Sequence, residues 1–232
     1  MKIFRKTRKI DEENPYGMSI GDMMASLLLV IILVLFAVML RLQTFIEDRE
    51  KEIQAVDKHQ VMKRDIIHRL VLDLSKYNIK IDRNTGVVTI SEGVLFDFGK
   101  YNIKPSGEQF LRNFVSDYVN VLLEKTEISS QVALIIIEGH TDIVGSYESN
   151  LELSLNRARS VANYIFSGRI DNLPHREELQ TRLTVNGRSF SDPCQSNETE
   201  AGRSANRRVE FKFRLVDWDV VNYANSNKRQ HK

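Results

Sequence analysis

Residues 23–40 form an unbroken apolar run. Met, Ala, Leu, Val, Ile and Phe fill it, Ser26 is its one hydroxyl, and no charge enters it. Taken as a helix over residues 19–42, the segment spans roughly 35 Å at ~1.5 Å per residue. The hydrocarbon core of a bilayer is ~30 Å thick, so the pattern predicts one transmembrane pass with a modest tilt. A cleaved signal peptide is the rival expectation. It calls for a shorter apolar stretch and a small-residue cleavage site, whereas Arg41-Leu42-Gln43-Thr44-Phe45 follows here.

Beyond the span, residues 45–77 contain no Gly or Pro and read as a charged helix. Ile46, Ile53, Ile67 and Leu74 recur on a spacing of seven, with Gln60 in the missing slot, and Arg49, Val56, Lys63 and Leu70 form a weaker second seam. This partial heptad pattern predicts a loose parallel pairing of two copies over a connector at residues 43–80. The alternative is a single amphipathic helix packed on its own C-terminal domain.

From Gly86 onward the period alternates. Residues 87–91 have β-branched alternation and predict a strand. Residues 105–124 carry an apolar helical stripe through Phe110, Leu111, Phe114, Val115, Tyr118, Val121 and Leu122, with Pro105 in the first turn. Residues 132–138 are solidly apolar, as a central strand requires. Residues 150–166 return to the helical period, and Gly168 stands where a helix C-terminus belongs. Residues 183–185 and 209–215 predict two further strands. The expected fold class is a single N-terminal transmembrane helix and helical connector, then an α+β domain at 81–216 with helices packed on a small mixed sheet. Residues 1–18 and 217–232 flank these as tails.

Composition and charge change this picture only locally. With 42% hydrophobic and 28% charged residues the chain is that of a folded protein. A net charge of +2 gives no broad footprint for nucleic acid. Lys2, Arg5, Lys6, Arg8 and Lys9 precede the span, so the positive-inside rule puts the N-terminus in the cytoplasm and everything after residue 45 outside it. Cys194 is the one cysteine, which excludes an intramolecular disulfide; no activating histidine motif adjoins it. Asp22 lies at the cytoplasmic end of the apolar run, with Ser26 one helical turn on and positioned to share its hydrogen bonding. A carboxylate at membrane depth is a candidate for ion transfer, but it also suits a helix N-terminus reaching interfacial water. The residues alone leave both readings open. No nucleophile or second carboxylate has a catalytic spacing, and the histidines have no metal-ligand spacing, so no enzyme, metal or cofactor is expected.

Two resemblances sharpen the reading. Ile137-Glu138-Gly139-His140-Thr141-Asp142, then Gly145, then Asn150-Leu151-Glu152-Leu153-Ser154, then Arg157-Ala158, resembles the signature of the OmpA C-terminal domain. Leu95-Phe96-Asp97-Phe98-Gly99 is similar to that family's first strand, and Gly202 to Glu210 (GRSANRRVE) is similar to its closing motif. The resemblance covers residues 86–216 and implies binding of the diaminopimelate-containing peptide of peptidoglycan. Asp142 would take the ligand's ammonium and Arg157 its carboxylate, since a guanidinium fork suits a carboxylate. Asn150, Leu153, Thr141 and Arg207 fall on the family's groove positions. The residues by themselves favour the plainer reading, in which Asp142 caps its loop and Arg157 braces the fold. Ser149 and Tyr147 depart from the family's frequent Tyr before the Asn, and the stretch 169–180 is longer and more polar than usual.

A basic tail, one span with a membrane Asp, a helical connector and an OmpA-like domain together resemble the MotB family of stator subunits. Ile20-Gly21-Asp22-Met23-Met24-Ala25-Ser26 is more similar to the Zorya branch of that family, the MotB-like (ZorB) subunits of an anti-phage defence system, than to flagellar members. The resemblance implies a bacterial inner-membrane protein with a periplasmic C-terminal domain and Asp22 as the ion-translocating residue of a proton-driven motor. It also implies a homodimer held inside a ring of about five MotA-like (ZorA-like) subunits. A flagellar stator and a passive membrane-to-wall tether are the competing functions.

Overall fold

In lipid a backbone must satisfy its own hydrogen bonds, and a long run without Gly or Pro does so as helix. The computed structural model, which describes residues 15–216, has helix α1 at Pro15–Asp73. The basic residues 2–9 and the tail 217–232 lie outside the described residues. The chain divides into two units, Met1–Asp57 and Lys58–Lys232.

In the first unit, one helix among the described residues is long and apolar enough to cross a membrane, over Gly21–Lys51. Its apolar side chains are exposed, as those of a lipid-facing helix are. Asp22 is exposed as well. Ser26 Oγ donates to Met23 O at 2.9 Å, so its hydroxyl is used by its own helix and not in the expected way by Asp22. Such i−3 back-bonding is the local option open to a helical serine.

The second unit begins at Lys58, inside the span expected to be connector. Ile66, Ile67, Leu70 and Leu74 are buried in its core, which is the packing alternative for this stretch. Ile46 and Ile53, the first two residues of the heptad seam, are 53% and 61% exposed. After a single 3-10 turn at Ser75–Tyr77, the remaining elements are β1 (Lys80–Ile81), β2 (Val88–Ser91), α2 (Glu92–Leu95), α3 (Pro105–Leu123), α4 (Thr126–Ser129), β3 (Val132–His140), α5 (Tyr147–Phe166), α6 (Arg176–Arg182), β4 (Leu183–Gly187), α7 (Glu200–Asn206) and β5 (Arg208–Leu215). The five strands form one sheet in the order β1-β2-β5-β3-β4. Only β3 and β4 run parallel, and the other pairs are antiparallel. The fold is the expected α+β arrangement of helices on a small mixed sheet.

Alternation along the strands sets the two faces. Val88, Ile90, Ile135, Ile137, Val209 and Phe211 are buried in the core. Phe114 and Tyr118 of α3 meet Phe211 edge-on at 5.0 and 5.4 Å between centroids. The stretch 169–180 is polar in composition yet contributes Ile170, Leu173 and Leu179 to the core. Leu95 to Gly99 departs from the expected strand. Here α2 ends at Leu95, Phe96 makes one antiparallel bridge to Ile103, and Gly99 turns the chain with φ 71°. Leu95 and Phe96 are still buried, so the apolar pattern is satisfied by a turn instead of a ladder.

Candidate functional site

The site begins with two glycines. Gly139 of β3 pairs directly with Gly187 of β4. A Cβ on Gly139 would stand 2.0 Å from Ser154 O, and one on Gly187 would stand 2.7 Å from Leu155 N. The missing side chains let the middle of α5 lie against the sheet backbone. Ser154 is fully buried there and its Oγ accepts from Ser189 N at 3.0 Å. Ser146 caps α5 by accepting from Ser149 N at 3.2 Å. Asn150 and Arg157, one face up and down from Ser154, are thereby buried beside the loop that leaves β3.

Asp142 sits in that loop, 6% exposed. Its Oδ1 accepts from Val144 N at 3.0 Å, while Asn150 Nδ2 donates to Val144 O at 2.9 Å. The loop is pinned from both sides, and Asp142 does cap it. Asp142 Oδ2 also accepts from Arg207 Nη1 at 2.5 Å. Arg207 reaches two more carboxylates, with Nε to Glu92 Oε2 at 2.7 Å and Nη2 to Glu200 Oε1 at 2.9 Å. Glu92 Oε1 in turn accepts from Arg157 Nη2. Arg157 is 1% exposed, its Nε donates to Lys100 O at 3.0 Å, and its Nη1 is buried without a hydrogen-bond partner. Thr141 Oγ1 is likewise buried and unpartnered, while its backbone N donates to Ser189 O at 2.9 Å. Leu153 is half-buried on the same helix.

Four chain segments thus deliver two arginines and two buried carboxylates to one point. Burial pulls the Arg157 guanidinium below its ordinary value against the pull of Glu92. Burial acts the same way on Arg207, but Asp142, Glu200 and Glu92 more than reverse it and raise that group. Both guanidinia remain charged. The faces of Phe96 and Phe98 lie 5.6 and 5.1 Å from the guanidinium carbons of Arg157 and Arg207, and Phe98 is 77% exposed. Chemically, the cluster offers unused buried donors to an anion and spare carboxylate lone pairs to a cation.

A second charged cluster lies on the sheet's other face. Glu138 and Glu210 each lie 3.3 Å from His140 Nε2, without hydrogen-bond geometry. Lys212 Nζ contacts the same two oxygens at 2.5 and 2.7 Å. Glu138, His140 and Asp192 bring one potential ligand atom each within 4.8 Å, a grouping their sequence spacing does not announce. The cation seated against the two glutamates is the protein's own lysine. Cys194 is exposed and its Sγ lies 3.3 Å from Ala205 O.

Residues 95–207 match the OmpA family. The chain is 28% identical over 224 residues to the Zorya protein ZorB of Escherichia coli, covering 90% of this chain and 92% of that one. It is 34% identical to outer membrane protein A of Bordetella avium, over 54% of this chain and 56% of that one. A putative MotB-like protein of Desulfovibrio vulgaris has the same fold, with a TM-score of 0.50 and 21% identity over 68% of this chain and 96% of that one. The chain carries an OmpA-like domain, and it resembles ZorB over nine-tenths of its length.

In this chain the residues singled out by motif, Thr141, Asp142, Asn150, Arg157 and Arg207, converge. Glu92 and Glu200 were not visible to sequence reasoning. They lie 65 and 43 residues from Arg157 in the chain, outside the motifs that the sequence offered.

Proposed function

We propose that this protein is a peptidoglycan-anchored, stator-like subunit of a proton-driven membrane motor serving anti-phage defence. The observation that carries the reading is the similarity to ZorB over nine-tenths of both chains, apolar span included. An OmpA-like domain alone would fit any wall-binding protein. In this reading the span crosses the bacterial inner membrane once, the N-terminus is cytoplasmic, and the OmpA-like domain is periplasmic. Asp142 and Arg157 hold the zwitterionic end of the wall peptide, with Thr141, Asn150, Leu153 and Arg207 shaping the groove. Two copies stand inside a ring of a MotA-like partner, and each Asp22 meets that partner in a desolvated site. Protonation neutralises Asp22 and lets the ring step past; deprotonation resets it. A charge crossing the membrane gains ~2.3 kcal/mol per 100 mV, enough to bias such a step.

Co-sedimentation of the full chain, in detergent, with purified peptidoglycan tests the anchoring half. Wild type should pellet with the wall. Arg157→Ala, if folded, should lose about tenfold or more, since a charge-assisted hydrogen bond contributes ~1.5–3 kcal/mol. Equal retention of both would remove the assignment.

A further inference from the structure

Arg157 is the cation that the proposed function assigns to the ligand's carboxylate, yet it already holds a carboxylate. Glu92 bonds Arg157 Nη2 through one oxygen and Arg207 Nε through the other, at 2.7 Å for the latter. Glu92 is 5% exposed, so this is a fixed internal partner and not a surface pair. The charged groups at the site are then Glu92, Asp142 and Arg157, all buried, and the partly buried Arg207, with the exposed Glu200 on the outer side of Arg207. What remains for the ligand's carboxylate is one nitrogen of Arg157, Nη1, and the Thr141 hydroxyl, both buried and unpartnered.

We infer that Glu92 is a specificity-determining residue of the wall-peptide site: it pairs the charge of Arg157 before ligand arrives. This rests on the peptidoglycan reading and deepens it. A guanidinium with no internal partner would depend on the ligand's carboxylate, because a buried unpaired charge is costly. A peptide whose terminal carboxylate is converted to a carboxamide would then be rejected steeply. With Glu92 in place, Arg157 stays paired whichever ligand enters. The carboxamide oxygen can still accept from Nη1. The site therefore takes both the free-acid and the amidated form of the peptide, with the acid only modestly preferred.

The test uses the full chain in detergent and calorimetric titration with two isosteric probes. One is a tripeptide ending in meso-diaminopimelate; the other is the same peptide with its terminal diaminopimelate carboxylate as the amide. The quantity read is the ratio of Kd for amide over acid. Glu92→Gln keeps the side chain's shape and removes its charge, and should raise the ratio about tenfold, equivalent to about 1.4 kcal/mol. A purely structural role would weaken both peptides in parallel and leave the ratio where it was, which would overturn the inference. Glu92→Asp keeps the charge and should keep the wild-type ratio even if both affinities fall. A rise there like that expected of the Gln variant would assign the effect to geometry and also overturn the inference. That arm stands if Glu92→Gln fails to fold. If wild type binds neither peptide, the wall-binding reading fails and this inference falls with it; binding by wild type with an unmoved ratio sinks the inference alone.

Discussion

Glu138 and Glu210 are directly opposite one another on adjacent strands, both 7% exposed. Like charges in that relationship repel, and the fold answers with His140 on one side and Lys212 on the other. His140, then Lys212, hold Glu138 down to about 2 against the effect of burial. Burial would raise Glu210, but His140, Lys212 and Arg208 hold it well below the carboxylate range. A depressed carboxylate contributes stability that is fully present above its unfolded value and is lost as pH falls through the folded one. The OmpA-like domain should therefore lose stability progressively from about pH 4.5 towards pH 2. Thermal unfolding followed across that range checks it; a flat profile there would count against the network.

Lys212→Met removes the ammonium and leaves the two glutamates facing each other. Near neutral pH it should destabilise the domain by about 1.5–3 kcal/mol, the scale of a hydrogen bond to a charged group. The deficit should shrink on acidification, because protonated glutamates no longer repel. Denaturant titrations of both proteins at pH 7 and pH 3 give the comparison; a deficit that grew in acid would contradict the arrangement.

Gly139→Ala drives a methyl into Ser154 O, backbone that cannot swing aside. We expect a loss of about 1–3 kcal/mol from overpacking, together with weaker wall binding, since α5 carries Asn150 and Arg157. Gly168→Ala, at a glycine just after α5 with nothing within 4 Å of an added Cβ, should cost stability through its backbone φ of 82° alone and spare wall binding. Pelleting assays on the two variants separate these outcomes.

Asp22→Asn keeps size and mimics the protonated acid permanently. It should abolish ion flow and protection against phage while leaving membrane assembly and wall binding intact. Asp22→Glu keeps an ionisable group and should be damaged less. Full phage protection by Asp22→Asn in cells would make the passive tether the better account.

A reporter fused after residue 80 reads the orientation. Activity of a periplasm-dependent reporter is expected, and of a cytoplasmic one is not; the reverse result would invert the topology.

Much of the fold was legible because period speaks directly of burial. The stripe from Phe110 to Leu122 and the run 132–138 lie where α3 and β3 do, and the predicted helix at 150–166 is α5 less its first turn. Short elements were not legible: α2, α4, α6 and α7 have four to seven residues, too few to show a period. The heptad reading of the connector misread its far end, because Ile67 and Leu74 repeat on a spacing that serves a domain core as well as a coiled coil. In the site, the motif residues could be seen, but Glu92 could not. Its role is defined by Arg157 and Arg207, 65 and 115 positions away, and no local pattern encodes a partner at that distance.

The strand order has a temporal consequence. β5 is the last strand along the chain, yet it lies in the middle of the sheet between β2 and β3. A polypeptide made from its N-terminus offers the two halves of this sheet long before the piece that joins them. Until Arg208–Leu215 arrives, β2 and β3 have no common neighbour, and Arg207, which ties Asp142 to Glu92, is absent. The charged cluster, and with it the proposed grip on the wall, is complete only once the residues through 215 have been made.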